Sequence, residues 1–221
     1  MIVVIGSPAG RLGDGIVLAA GMSARVAIAA AAAGRTVQLV GKIGDDPTAD
    51  GVLLDLARAR VGHVALLRDP ARATPMEPVP DEGPDDATDE ELDGVRTTAS
   101  DPVAGAGPAL EAADVELGLA YLTDYAVVVL PEPADAATVA VVAAAARWGE
   151  ARMVVVIEPG TPIPPALPAD VVVLEGPAID PDGVFAELVG TFAAALDSGT
   201  DPGAAFQATI AAEGWTGAEP A

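Results

Sequence analysis

The run Ala20-Gly21-Met22-Ser23-Ala24-Arg25 decides how this chain is read. It continues through an alanine-rich segment to Ala33, then Gly34, Thr36-Val37-Gln38-Leu39-Val40 and Gly41-Lys42-Ile43-Gly44-Asp45-Asp46. It spells a glycine turn, a helix with nearly continuous apolar residues, a tight corner, an apolar strand and a second glycine turn bearing two carboxylates. A helix apolar nearly all round is buried on more than one side. An unbroken apolar strand suits a parallel sheet covered on both faces. The order is therefore a βαβ half-unit, and its turns fall where α/β sheets place their ligands.

Working outward, residues 2–5 form a short apolar run that stops at Gly6-Ser7-Pro8, a first strand and its turn. Residues 9–14 are polar and glycine-broken, and 16–18 read as a short extra strand. Residues 48–60 place Val52, Leu53, Leu56 and Ala57 at helical spacing, and 63–67 make a third strand. Composition then changes. Residues 75–101 carry Glu77, Asp81, Glu82 and further carboxylates among prolines, with little apolar content. Such a stretch cannot bury enough surface to offset its ordering entropy and reads as a flexible acidic loop. A solvated insertion is the plainer account; an interaction tail or a mimic of an anionic ligand is the alternative. Order resumes with helices over 112–122 and 134–148, strands over 126–130, 153–157 and 171–174, and closing helices near 183–196 and 203–212. Alternating strands and helices predict an α/β fold of three layers, a mostly parallel sheet with helices on both faces. With no internal repeat and no second domain visible, residues 1–221 are expected to form one domain with the acidic loop inside it.

Bulk chemistry removes several functions. The chain has no cysteine and one histidine, His63, so thiolate catalysis and Cys- or His-rich metal sites are excluded. Its net charge is −22 and Lys42 is its only lysine, which argues against nucleic acid and anionic membranes. Charges such as Arg25 and Arg35 interrupt every apolar run before the roughly 18 residues that span a bilayer. Residues 2–5 open directly as a strand with no basic flank, so a cytoplasmic protein is expected.

Taken together, these segments resemble the ribokinase-like (PfkB) carbohydrate kinases. Residues 1–7 look like that family's opening strand, and 20–46 like its substrate loop, alanine-rich helix, strand and Gly-x-x-Gly-x-Asp turn. Gly105-Ala106-Gly107 with Leu110 and Asp114-Val115-Glu116 resembles the segment before its central strands. Asp180-Pro181-Asp182-Gly183-Val184-Phe185-Ala186, with Val189-Gly190-Thr191-Phe192 behind it, resembles its catalytic turn and following helix. The resemblance implies ATP-dependent phosphotransfer to a sugar hydroxyl, with Mg-ATP as co-substrate.

The departures fall where that chemistry is done. The family's sugar-holding Asp is replaced by Arg11, with Asp14 as the nearest substitute; the paired glycines become Ala20-Gly21, the substrate-loop Asn becomes Arg25, and another Asn position holds Gly107. The Gly-Ala-Gly-Asp of the catalytic turn becomes Gly183-Val184-Phe185-Ala186. Glycine amides there form an anion hole and the Asp takes the hydroxyl proton; loss of such a base costs about 10²–10⁴ in rate. Residues 7–20 are too short for the family's lid, and the few residues between 174 and 180 leave part of its nucleotide site missing. The expectation is a degenerate, inactive pseudokinase that needs no cofactor and binds a small sugar-like or anionic ligand or a protein partner. Its candidate ligand residues are Arg11, Asp14, Gly21, Arg25, Gly41 and Asp45, and a homodimer is compatible. Arg11 and Arg25 could clamp an anion or pair with the acidic surface. Two alternatives stand beside it: an active sugar or nucleoside kinase using Mg-ATP with an atypical base such as Asp182, and a structural oligomer subunit.

Overall fold

The computed structural model describes residues 1–78, 107–177 and 179–212. In chain order the first elements are β1 (Ile2–Ile5), β2 (Ala9–Gly13), β3 (Ile16–Ala20), α1 (Met22–Ala32), β4 (Val37–Gly44), α2 (Pro47–Arg58) and β5 (Val61–Asp69). Then follow α3 (Ala112–Ala120), β6 (Val127–Leu130), α4 (Ala136–Trp148), β7 (Arg152–Ile157), β8 (Val172–Glu175), α5 (Val184–Asp197) and α6 (Pro202–Ala212). Every residue of β1 is buried, so it lies in the middle of the sheet. The order is β5-β4-β1-β6-β7-β8, and every pair is parallel.

Strand alternation sorts the apolar residues into two cores. Ile2, Val4, Leu39, Val129 and Val154 face α1, α2 and α5; Val3, Ile5, Val40, Val128 and Val155 face α3 and α4. This is the expected three-layer α/β architecture. The alanines of α1 serve close packing: at Gly190 of α5 a Cβ would stand 2.6 Å from both the Val26 carbonyl oxygen and the Ala29 Cβ. The chain leaves β1 toward β4 on one side and later returns beside β1 as β6 on the other. Between β1 and β6 lies the switch point, with Gly6 and Pro131 following the carboxyl ends of the two strands.

Two segments differ from their sequence reading. Residues 9–14, polar and glycine-broken, form β2 and pair antiparallel with β3, from Ala9 opposite Ala20 to Gly13 opposite Ile16. Asp14 and Gly15 turn the hairpin with φ of 49° and 78°, the two-residue turn that Asp-Gly favours. So the segment expected to lack a lid is a small ribbon. It packs along α2, where Val17 meets Gly51 and the Ala19 N–H donates to an Asp55 carboxylate oxygen at 2.9 Å. The second glycine turn is also largely strand: residues 41–44 pair with 66–69 of β5, and the Gly6 carbonyl lies against the spot where a Cβ of Gly41 would stand. Of the predicted acidic loop, only its first residues are described. Glu77 donates its N–H to the Gly10 carbonyl at 2.8 Å, and residues 79–101 lie outside the described residues. Among the described residues no helix is long and apolar enough to cross a membrane.

Candidate functional site

Helix α1 starts from Gly21, whose φ of 84° and missing side chain leave the first amides without a local cap. Distant carboxylates supply it. The Gly21 N–H donates to Glu77 Oε1 at 2.9 Å and the Ser23 N–H donates to Glu132 Oε1 at 3.0 Å. Glu132, separated from the end of β6 by Pro131 alone, sits at the switch point. Gly6 makes room for it, since a Cβ there would stand 2.7 Å from the Ser23 Cβ and 3.3 Å from Glu132 Oε2. Burial pushes the Glu132 carboxyl above its ordinary range, while the Ser23 amide opposes that shift. Cavities open on both sides of it. One of about 260 Å³ lies against Gly6, Ser7, Leu110 and Asp135, and another of about 170 Å³ against Met22, Val156, Glu158 and Pro177.

Arg25, one turn into α1, joins two loops. Its Nη2 pairs with Glu77 Oε2 at 2.6 Å, and its Nη1 donates to the Asp180 carbonyl at 2.5 Å. Asp180 in turn caps α5: its carboxylate oxygens accept the N–H groups of Phe185 at 3.2 Å and Ala186 at 2.9 Å. Gly183 holds a left-handed φ of 74°, with the Arg25 Cδ 3.3 Å from where a Cβ would stand. Ala186 is fully buried and offers no proton acceptor. Asp182 and Glu187 are exposed nearby.

The remaining sequence candidates scatter. Arg11 is exposed on the hairpin, its side chain with no hydrogen-bond partner among the described residues, and Asp14 is spent in its turn. Gly21 caps α1, whereas Gly41 lies within β4. Asp45 pairs at the surface with Arg68 at 2.9 Å, which also holds Asp50. Lys42 Nζ binds Asp114 at 2.8 Å; that bond raises the lysine pKa, and against the effect of burial it lowers that of the aspartate. His63 turns its Nδ1 to the Val61 carbonyl at 3.2 Å, a local backbone contact. Trp148, at the end of α4, is 92% exposed, and Trp215 lies outside the described residues. Sequence reading passed over Glu132, Glu77 and Asp180 as site residues. Glu132 left a usable signal, a lone carboxylate in Pro-Glu-Pro at the end of an apolar strand, whereas Glu77 was hidden in an acidic run.

No family model matches the chain, and no curated protein matches it. Solved structures do. Arabidopsis thaliana ribokinase complexed with ribose and ATP aligns with a TM-score of 0.64 at 14% identity, over 96% of this chain and 90% of that one. The tetrameric inhibited form of phosphofructokinase-2 from Escherichia coli aligns at 0.63 and 15% identity, over 97% and 93%. The protein solved as Sa239 aligns at 0.62 and 14% identity, over 99% and 95%. The chain therefore has the ribokinase-like carbohydrate kinase fold.

Proposed function

We propose that this protein binds a small, hydroxyl-rich, sugar-like molecule at the switch point and does not phosphorylate it. The observation that carries this reading is the start of α5, where the chain's own Asp180 carboxylate takes the Phe185 and Ala186 amides. A helix start can hold a phosphate only through free amides. These are taken, and an incoming phosphate would meet a carboxylate. A start of α5 occupied by the chain's own carboxylate does not fit the phosphates of Mg-ATP. Ala186 stands where the resemblance puts the base, so a bound hydroxyl meets no proton acceptor there.

The same bookkeeping of charge selects the ligand class. Arg25, the best-placed cation for an anion, is engaged by Glu77 and the Asp180 carbonyl. The carboxylate between the cavities is Glu132: its Oε1 holds the Ser23 N–H, its second oxygen is left for a ligand, and burial favours hydrogen bonds to hydroxyls over contact with an anion. A thermal-shift screen of pentoses, hexoses and nucleosides, each with and without Mg-ATP, tests this reading. At about 100 times its Kd a ligand adds about 2.7 kcal/mol. Stabilisation by a sugar, unchanged by Mg-ATP and lost in Glu132→Ala, is expected. A shift with Mg-ATP alone favours the kinase reading based on Asp182, and concentration-dependent assembly without any ligand favours the structural subunit.

A further inference from the structure

The sheet ends at β8, whose only partner among the described residues is β7. Beside it runs a groove of about 570 Å³ lined by Val173, Leu174, Val184, Phe185, Phe206 and Ile210. Val173 packs with the core under α4 and Leu174 with the core under α5, so the groove wraps the open edge and does not sit on one face. Large apolar side chains stay in solvent there: Val184 is 46% exposed and Phe206 37%. Such a strand edge offers main-chain donors and acceptors for another strand, with an apolar trough for alternate side chains.

The charge around it selects the partner. No Lys, Arg or His follows Arg152 in the sequence. Glu175 and Asp180 line the groove, and Asp182 is exposed in the adjoining turn. Among the described residues, the one cation reaching this rim, Arg25, is committed to the Asp180 carbonyl and Glu77. A second copy of a chain with net charge −22 would be repelled. We propose that the β8 edge and its groove dock an extended segment of a partner protein, in which apolar residues alternate with Lys or Arg. This surface adjoins the switch-point site, sharing Pro177 with its cavity and Asp180 and Phe185 with the start of α5, but it does not rest on the ligand proposed there.

The test uses the full chain and a labelled peptide of about seven residues alternating Val and Lys, long enough to cover the strand. Binding is read by fluorescence anisotropy at about 0.15 M salt, where long-range attraction is screened. Saturable binding is expected, weakened about tenfold by Val184→Lys or Phe206→Lys, as for a charge set into an interface core. Val64→Lys on the opposite edge strand, at a position 71% exposed, should change it by less than about twofold. Circular dichroism melts of all three variants confirm that each is folded. Absence of saturable binding, equal loss in Val64→Lys, or equal binding of a Val/Glu peptide would overturn the proposal. So would a concentration-dependent dimer in sedimentation that Val184→Lys abolishes.

Discussion

Helices α2 and α4 begin as helices commonly do. Asp46 and Asp135 are their own N-caps and accept the amides of Ala49 at 2.8 Å and Thr138 at 2.6 Å. Helices α1 and α5 begin at glycines, and their caps are brought in: Glu132 and Glu77 from 109 and 56 positions away for α1, Asp180 from five and six positions before the amides it holds in α5. All four starts have the same electrostatic solution, a carboxylate on the positive end of a helix. The difference lies in what the carboxylate gives up. At α2 and α4 it fixes a local turn. At α1 and α5 it fills space at the carboxyl ends of the strands, where a ligand's anionic group would otherwise lie.

Breaking the local kind of cap should cost most. Asp46 also accepts the Thr74 N–H at 2.6 Å, and Thr74 is buried. Asp46→Ala removes a cap and strands a buried amide, an expected loss of about 2 kcal/mol in denaturant unfolding. Although burial opposes it, the Thr74 and Ala49 amides hold the Asp46 carboxyl below its ordinary 3.8. The part of its stabilisation that comes from ionisation is therefore complete above that pH and disappears as pH falls through the lower folded value, where the gap between wild type and variant should narrow.

Opening α5 should cost no more. Asp180→Ala leaves the amides of half-buried Phe185 and fully buried Ala186 without their acceptor and should lower stability by about 2 kcal/mol in the same assay. It should not create ATP turnover, because Ala186 still supplies no proton acceptor. Arg25→Ala comes next, with a loss of less than about 1 kcal/mol, as expected for a pair whose side chains are 20% and 26% exposed. Affinity for inorganic phosphate should be unchanged, since Arg25 is already engaged; a weaker phosphate affinity would make it a ligand clamp.

Glu132→Gln sharpens the contrast by changing sign. A glutamine oxygen can still accept the Ser23 N–H, and the buried charge is gone. The Glu132 pKa is raised from 4.5, so the wild type carries a penalty that is absent below that value and grows as pH rises through the folded pKa. The variant should match the wild type in acid and equal or exceed it at pH 7, as read by Tm across pH 4 to 8. A variant clearly weaker at pH 7 would make Glu132 an ordinary cap like Asp46.

The sheet and its helices were legible because their signals are local. The apolar runs that became β1, β6 and β7 and the alanine run of α1 each announce themselves within a few residues. The hairpin was missed because Gly10, Arg11 and Gly13 break the alternation of β2, although Asp14-Gly15 was its turn signal. Gly41 was read as a turn because only the fold shows the Gly6 carbonyl pressed against it. The site resisted for a related reason. The resemblance drew attention to Arg25 and Ala186, but the groups that decide their chemistry, Glu77, Glu132 and Asp180, become neighbours only through the crossovers. Long-range placement of like carboxylates leaves no periodic trace in sequence.

The most direct measurement is a ¹H–¹⁵N NMR titration of the Phe185 and Ala186 amides with Mg-ATP, alone and with a sugar that stabilises the protein. The account predicts that both resonances stay where Asp180 holds them while Ser23 responds to the sugar. Saturable movement of Phe185 and Ala186 with Mg-ATP would show that α5 is open to phosphate and would contradict it.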